Sequence, residues 1–78
     1  MLKQLNLYST THCHLCDLAH SIMLNFDGKV VLETIDIAED EALLDKYSLR
    51  IPVLQRQDTQ DELNWPFSAM DISEFLKD

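Results

Sequence analysis

Cys13 and Cys16 are the only two cysteines in a chain of 78 residues, and His12 and His14 flank the first of them. Cysteines three positions apart close almost no loop, so a bond between them cannot staple a fold together. The C-x-x-C spacing points instead to redox chemistry or metal binding. Position then separates the two. His12-Cys13-His14-Leu15-Cys16 follows an apolar–polar alternation that ends near Ser9 and the polar loop Ser9-Thr10-Thr11-His12, and it opens a helical pattern. Residues three apart on a helical turn bring their Cβ atoms to about 5 to 6 Å, within reach of a disulfide after modest adjustment. A helix N-terminus offers unpaired N–H groups and a partial positive charge, and both stabilise a thiolate. Cys13 is therefore the expected nucleophile, with a lowered pKa. Cys16, one turn inward, is the expected resolving thiol. His14 can tune Cys13 by a hydrogen bond or, when protonated, by charge, and His12 can do so from the other side. Both also read as solvated loop residues, while His20 falls on the polar side of the helix.

The same residues offer donors for a metal. His12, Cys13, His14 and Cys16 suit zinc or copper(I) by softness. Adjacent residues rarely converge on one tetrahedral ion, however, and no second Cys or His cluster occurs later in the chain. No resident metal is expected, while adventitious binding or a cluster shared between two chains stays open. The competing functional class is accordingly a binding module, one that docks a protein or handles a metal with little turnover.

The elements that must position these residues can be read in order. Met1 to Tyr8, with Leu2, Leu5, Leu7 and Tyr8 as its apolar positions, suits a strand. From Leu15, the residues Leu18, Ala19, Ile22, Met23 and Phe26 trace one face of an amphipathic helix. Asp27-Gly28 stops it, with Gly28, the only glycine, suited to a C-terminal cap. Val30 to Ile37 is the most β-branched stretch and the expected central strand, parallel to the first across a right-handed crossover. Asp40 to Tyr47 follows as a short helix. Val53 to Arg56 and Glu62 to Trp65 then form an antiparallel hairpin around Gln57-Asp58-Thr59-Gln60. Ser68 can cap the last helix with Asp71 in a box-like arrangement, and Phe67 and Ile72 sit where a hydrophobic staple would. The order βαβ, short helix, ββα implies an α/β fold with a four-stranded mixed sheet and helices on its faces.

Composition narrows the class of partner. An apolar fraction of 46% argues against disorder, and one domain over residues 1–78 is expected. Such a short chain buries only about 60 to 65% of the surface its unfolded form exposes, so its stability is expected to be marginal. No apolar run approaches the ~20 residues of a membrane span. The alternating N-terminus reads as a strand rather than a signal peptide, which makes the cytoplasm the expected compartment. Fourteen acidic against six basic residues give a net charge of −8. That balance repels phosphate backbones and anionic lipids, so neither nucleic acid nor membrane is an expected partner.

Leu7-Tyr8-Ser9 through Cys16, the Ile51-Pro52 step and the ββα ending resemble the glutaredoxin branch of the thioredoxin superfamily. Asp36-Ile37 with the acidic helix after it, Leu49-Arg50-Ile51-Pro52-Val53-Leu54 and Trp65-Pro66-Phe67 are similar to the small bacterial glutaredoxin-like proteins of the DUF836 group. The resemblance covers nearly the whole chain. It implies a thioredoxin/glutaredoxin-like fold, electron transfer through a redox-active disulfide and a monomer. It also implies a cis Ile51–Pro52 bond that sets this loop beside Cys13, where the Ile51 backbone can pair with an extended substrate. Disulfides of proteins or small molecules would be substrates, and a reductase or glutathione the electron donor. The glutaredoxin pattern Tyr-Ser-Lys-x-x-Cys-Pro-Tyr-Cys is departed from at Thr10, where a lysine is usual, and at His14-Leu15. The Gly-Gly step that holds glutathione is absent, and Asn64-Trp65-Pro66-Phe67-Ser68 stands there instead. Phe67 and Ser68 can still offer N–H groups to a carboxylate at a helix start. No bound cofactor is expected. Trp65 reads more readily as core than as a groove residue, and Asp71 as a helix-start charge.

Overall fold

The computed structural model describes residues 3–26 and 28–77. Met1 and Leu2 of the expected first strand, and Asp27 of the expected helix stop, lie outside them. The elements are β1 (Lys3–Ser9), α1 (His14–Leu24), β2 (Val30–Asp36), a 3-10 turn (Ile37–Glu39), α2 (Glu41–Tyr47), β3 (Val53–Arg56), β4 (Glu62–Asn64) and α3 (Ala69–Phe75). The sheet order is β2-β1-β3-β4. β1 runs parallel to β2 and antiparallel to β3, which forms an antiparallel hairpin with β4. This is the expected mixed sheet. No helix among the described residues is long and apolar enough to cross a membrane.

The period-two alternation of β1 divides the interior. Leu5 and Leu7 face one side, where they pack with Leu54, Ala19 and Met23 of α1, and Phe67 and Ile72 at α3. Tyr8 faces the other side, with Val53, Ile37 and Tyr47 of α2. There the Tyr8 and Tyr47 rings stack with centroids 4.3 Å apart. Helix starts follow the residue types expected of caps. Asp40 accepts from the N–H groups of Ala42 (2.8 Å) and Leu43 (3.3 Å). Ser68 and Asp71 form a reciprocal capping box, with Phe67 and Ile72 buried together beneath it.

Three expectations are corrected. β2 is an edge strand, and β1 lies inside the sheet: among the described residues β2 pairs only with β1, and Val31 is 45% exposed. β-branching reports fitness for a pleated, partly buried surface rather than a place in the strand order. Gly28 does not cap α1, and it has no positive φ. The helix ends at Leu24, where the Asn25 amide donates to the Ser21 carbonyl at 2.8 Å. The space at Gly28 is filled by the Phe26 ring, which a Cβ there would overlap. Leu15 and Leu18, expected on the buried face, are 45% and 43% exposed. The buried seam is Cys16, Ala19 and Met23.

Arg56 is buried on β3 and held by several acceptors. Its guanidinium donates to both Asp58 carboxylate oxygens (2.9 and 2.7 Å) and to the carbonyls of Phe75 (3.2 Å) and Lys77 (3.3 Å). It thereby serves the carbonyl of Phe75, the last residue of α3, and that of Lys77 just beyond the helix.

Candidate functional site

The strand register gathers the loops of interest at one end of the sheet. Tyr8 pairs with Val53, Ser9 with Asp36, and Val53 with Asn64. The Cys13 loop after β1, the Ile51-Pro52 step before β3 and the Trp65–Ser68 segment after β4 therefore leave the sheet at the same end. Their placement comes from pairing across three strands.

Cys13 is the N-cap residue of α1. Its backbone is extended, its carbonyl accepts from the Asp17 N–H at 3.1 Å, and its Sγ accepts from the Cys16 N–H at 3.2 Å. The sulfur thus occupies the place where a serine or aspartate oxygen usually caps a helix. Cys13 and Cys16 are joined as a disulfide with Cα atoms 5.2 Å apart. Cys16 is buried at 3% exposure, whereas Cys13 is half-buried. His12 and His14 are exposed on either side, and His12 takes a left-handed φ of 60° as the chain turns into the helix. That conformation is uncommon outside glycine but tolerated by histidine. Among the described residues, no three His, Cys, Asp or Glu side chains are grouped to hold a metal ion.

The remaining predicted residues are placed differently from one another. Pro52 is buried and Ile51 half-buried, and the peptide bonds preceding Pro52 and Pro66 are cis. The Ile51 N–H donates to the Tyr47 carbonyl at 3.0 Å, so an extended partner would meet it already engaged. Phe67 is buried, with Trp65 packed edge-on against it at 5.1 Å. Trp65 is only partly buried, at the margin of the core. The Ser68 N–H donates to the Asp71 carboxylate at 2.9 Å. The chain's own carboxylate therefore holds the donor that an incoming one would need.

One network escaped the sequence reading. Glu62 accepts from Tyr47 Oη at 2.5 Å and from Arg50 at 2.7 Å, and Arg50 also reaches Asn64 at 3.1 Å. These contacts tie α2 and the residue before Ile51 to β4, and so hold the Pro52 turn. Burial pushes the Glu62 carboxyl up, but the bonds from Tyr47 and Arg50 and the charges of Arg50 and Lys46 outweigh it, leaving a lowered pKa. Burial and the Glu62 bond both push the Tyr47 phenol above its ordinary range. The only sequence signal was a tyrosine ending an acidic helix, since pairing of Arg50 with Glu62 depends on the hairpin bringing β4 alongside.

A C-x-x-C opening the first helix of a βαβ unit, with a proline preceding the third strand, defines a glutaredoxin-like member of the thioredoxin-like folds. Residues 4–77 match the Glutaredoxin-like domain (DUF836) family, and the chain belongs to it. Among solved structures it is similar to structural genomics target protein XcR50 from X. campestris, at 37% identity over 92% of this chain and 93% of that one, with a TM-score of 0.81. Protein Ne2328 from Nitrosomonas europaea is similar at 29% identity over 99% of this chain and 94% of that one, with a TM-score of 0.77. A malarial protein at 14% identity and a TM-score of 0.70 shares the fold. No functionally curated protein matches the chain. Family membership and the Cys13–Cys16 pair together point to a redox-type function.

Proposed function

We propose that the protein is a thiol–disulfide oxidoreductase in which Cys13 attacks and Cys16 resolves. The observation that carries this is the asymmetry of the pair: one disulfide spans the first turn of α1, with Cys13 at the accessible helix start and Cys16 buried behind it. The Cys13 thiolate attacks one sulfur of a substrate disulfide and expels the other as a thiolate, which takes up a proton. Cys16, losing its proton, then attacks Cys13 Sγ in the mixed disulfide and releases the second substrate thiol. Two electrons pass from the protein dithiol to the substrate, and the protein is left as the disulfide. Proteins or small molecules supply the disulfide, and a reductase or glutathione returns the electrons in a thiol-reducing cytoplasm. An extended substrate would lie along the Ile51-Pro52 step without pairing to the Ile51 N–H, which the Tyr47 carbonyl holds. His14 and His12 would tune the Cys13 thiolate. Because the Ser68 N–H is held by Asp71, glutathione would be a reductant in solution rather than a specifically seated ligand.

The test uses single-cysteine variants. Cys13→Ser should abolish reduction of a small disulfide. Cys16→Ala should accumulate a mixed disulfide at one equivalent per chain, visible by mass spectrometry. If Cys13→Ser retains turnover, or if Cys16→Ala traps nothing, the proposal fails.

A further inference from the structure

We infer that the exposed face of α1, running from the cysteine pair into the groove between α1 and α3, is a docking site for a basic, apolar segment of a protein redox partner. The inference rests on the oxidoreductase reading for the partner's disulfide but not for the surface itself. Leu15, Leu18 and Ile22 are spaced i, i+3, i+7, and at 3.6 residues per turn they form one stripe about 10 Å long. Leu15 lies between the two cysteines, and both Leu15 and Leu18 are more than 40% exposed. The stripe leads directly into an open groove of about 370 Å³ lined by Ser21, Ile22, Asn25, Ser68 and Ala69. Met70, 77% exposed, follows Ala69 on α3. The fold covers the neighbouring stripe of the same helix (Cys16, Ala19, Met23) and leaves Leu15 and Leu18 exposed, while Ile22 at the groove is partly buried against the core.

Charge selects the occupant. Neither α1 nor α3 contains a lysine or arginine; Asp71 is held in the capping box by Ser68 and Glu74 pairs with Lys77 just beyond α3, which leaves Asp17, exposed on α1, as the carboxylate beside the stripe. An acidic peptide, or the carboxylates of a small thiol, would meet like charge at exposed Asp17 beside the stripe and in the chain's net charge of −8, while the groove lining itself is uncharged. A segment with one or two apolar side chains flanked by Lys or Arg meets both the leucines and Asp17, on a chain of net charge −8. Its disulfide would lie at the N-terminal end of the stripe, next to Cys13. Electrostatic complementarity of this kind acts chiefly on association rate and falls with salt.

The test separates docking from chemistry. Three disulfides are compared as substrates: hydroxyethyl disulfide, a Leu-containing disulfide peptide flanked by lysines, and the same peptide flanked by glutamates. The wild type should prefer the lysine peptide by roughly tenfold in kcat/KM at low salt, and the preference should shrink at high salt. Leu18→Gln, at an exposed position, should lower kcat/KM for the lysine peptide roughly fivefold and leave hydroxyethyl disulfide unchanged. In parallel, the lysine peptide with its cysteines replaced by serine is titrated into the oxidised protein and followed by NMR. Shifts should centre on Leu18, Ile22, Ser68 and Ala69. Equal rates for the two peptides, equal losses on all three substrates in Leu18→Gln, or NMR shifts elsewhere would overturn the inference. So would concentration-dependent shifts of the same residues without peptide, which would make a second copy the occupant. Failure of the redox reading appears separately, as no turnover of hydroxyethyl disulfide with the NMR footprint intact.

Discussion

At Arg56 a guanidinium lies inside a small domain with nearly all its donors engaged, by Asp58 and by the carbonyls of Phe75 and Lys77 at and beyond the end of α3. Removing one side of such an arrangement strands the other. Arg56→Met should therefore cost more than about 2 kcal/mol in urea unfolding, despite keeping the apolar stem. The Arg56 bond, with its charge, pushes the Asp58 carboxyl down to about 2. Its folded-state pKa is thus below its unfolded one, so the stabilisation is present above pH ~4 and is lost as pH falls toward 2. Acid unfolding of Asp58→Asn should accordingly show a flatter pH dependence across that window than the wild type, measured by circular dichroism. Gly28→Ala acts by crowding: the added methyl meets the Phe26 ring, which packs on the core. A destabilisation of about 1 to 3 kcal/mol is expected from overpacking, read as a lower urea midpoint with unchanged m-value.

The helix starts carry predictions of their own. α3 has only seven residues, so its capping box is a large share of what holds it. Ser68→Ala should cost about 1 kcal/mol, measured by thermal unfolding. Serine is a favoured N-cap, so Cys13→Ser should keep α1 capped and the fold unperturbed. Its loss of turnover would then report on the thiol alone. Cys16 differs because it is buried, and alanine is the safer replacement there because it adds no polar group to the interior. The start of α3 was legible in the sequence because a cap is a local hydrogen bond between neighbours. The end of α1 was not: Asn25 terminates it where glycine was expected, since an asparagine amide can reach the Ser21 carbonyl one turn back.

Over the whole molecule, the two faces of the sheet do different work. One face buries the aliphatic core under α1 and α3; the other buries the Tyr8–Tyr47 stack and supports the Pro52 turn through Glu62 and Arg50. The Tyr47 phenol is raised in the folded state, so its contribution is present below pH ~10 and disappears as alkali ionises it. Wild-type stability should fall above pH 10, and Tyr47→Phe should remove part of that slope while leaving Glu62 without one donor, as checked by urea melts from pH 8 to 11.

What the amino-acid sequence determined by itself was local: the C-x-x-C at a strand–helix junction, the cap at Ser68, the hairpin, and the order of elements that implies a mixed sheet. Each is written in residues a few positions apart. Tertiary structure decided the rest. It put β2 at the edge and β1 at the centre, and paired Arg50 with Glu62. It also buried Ala19 and Met23 while leaving Leu15 and Leu18 bare. Hydrophobic periodicity gives the width of an apolar stripe but not how much of it the rest of the fold covers, because coverage depends on where distant elements land.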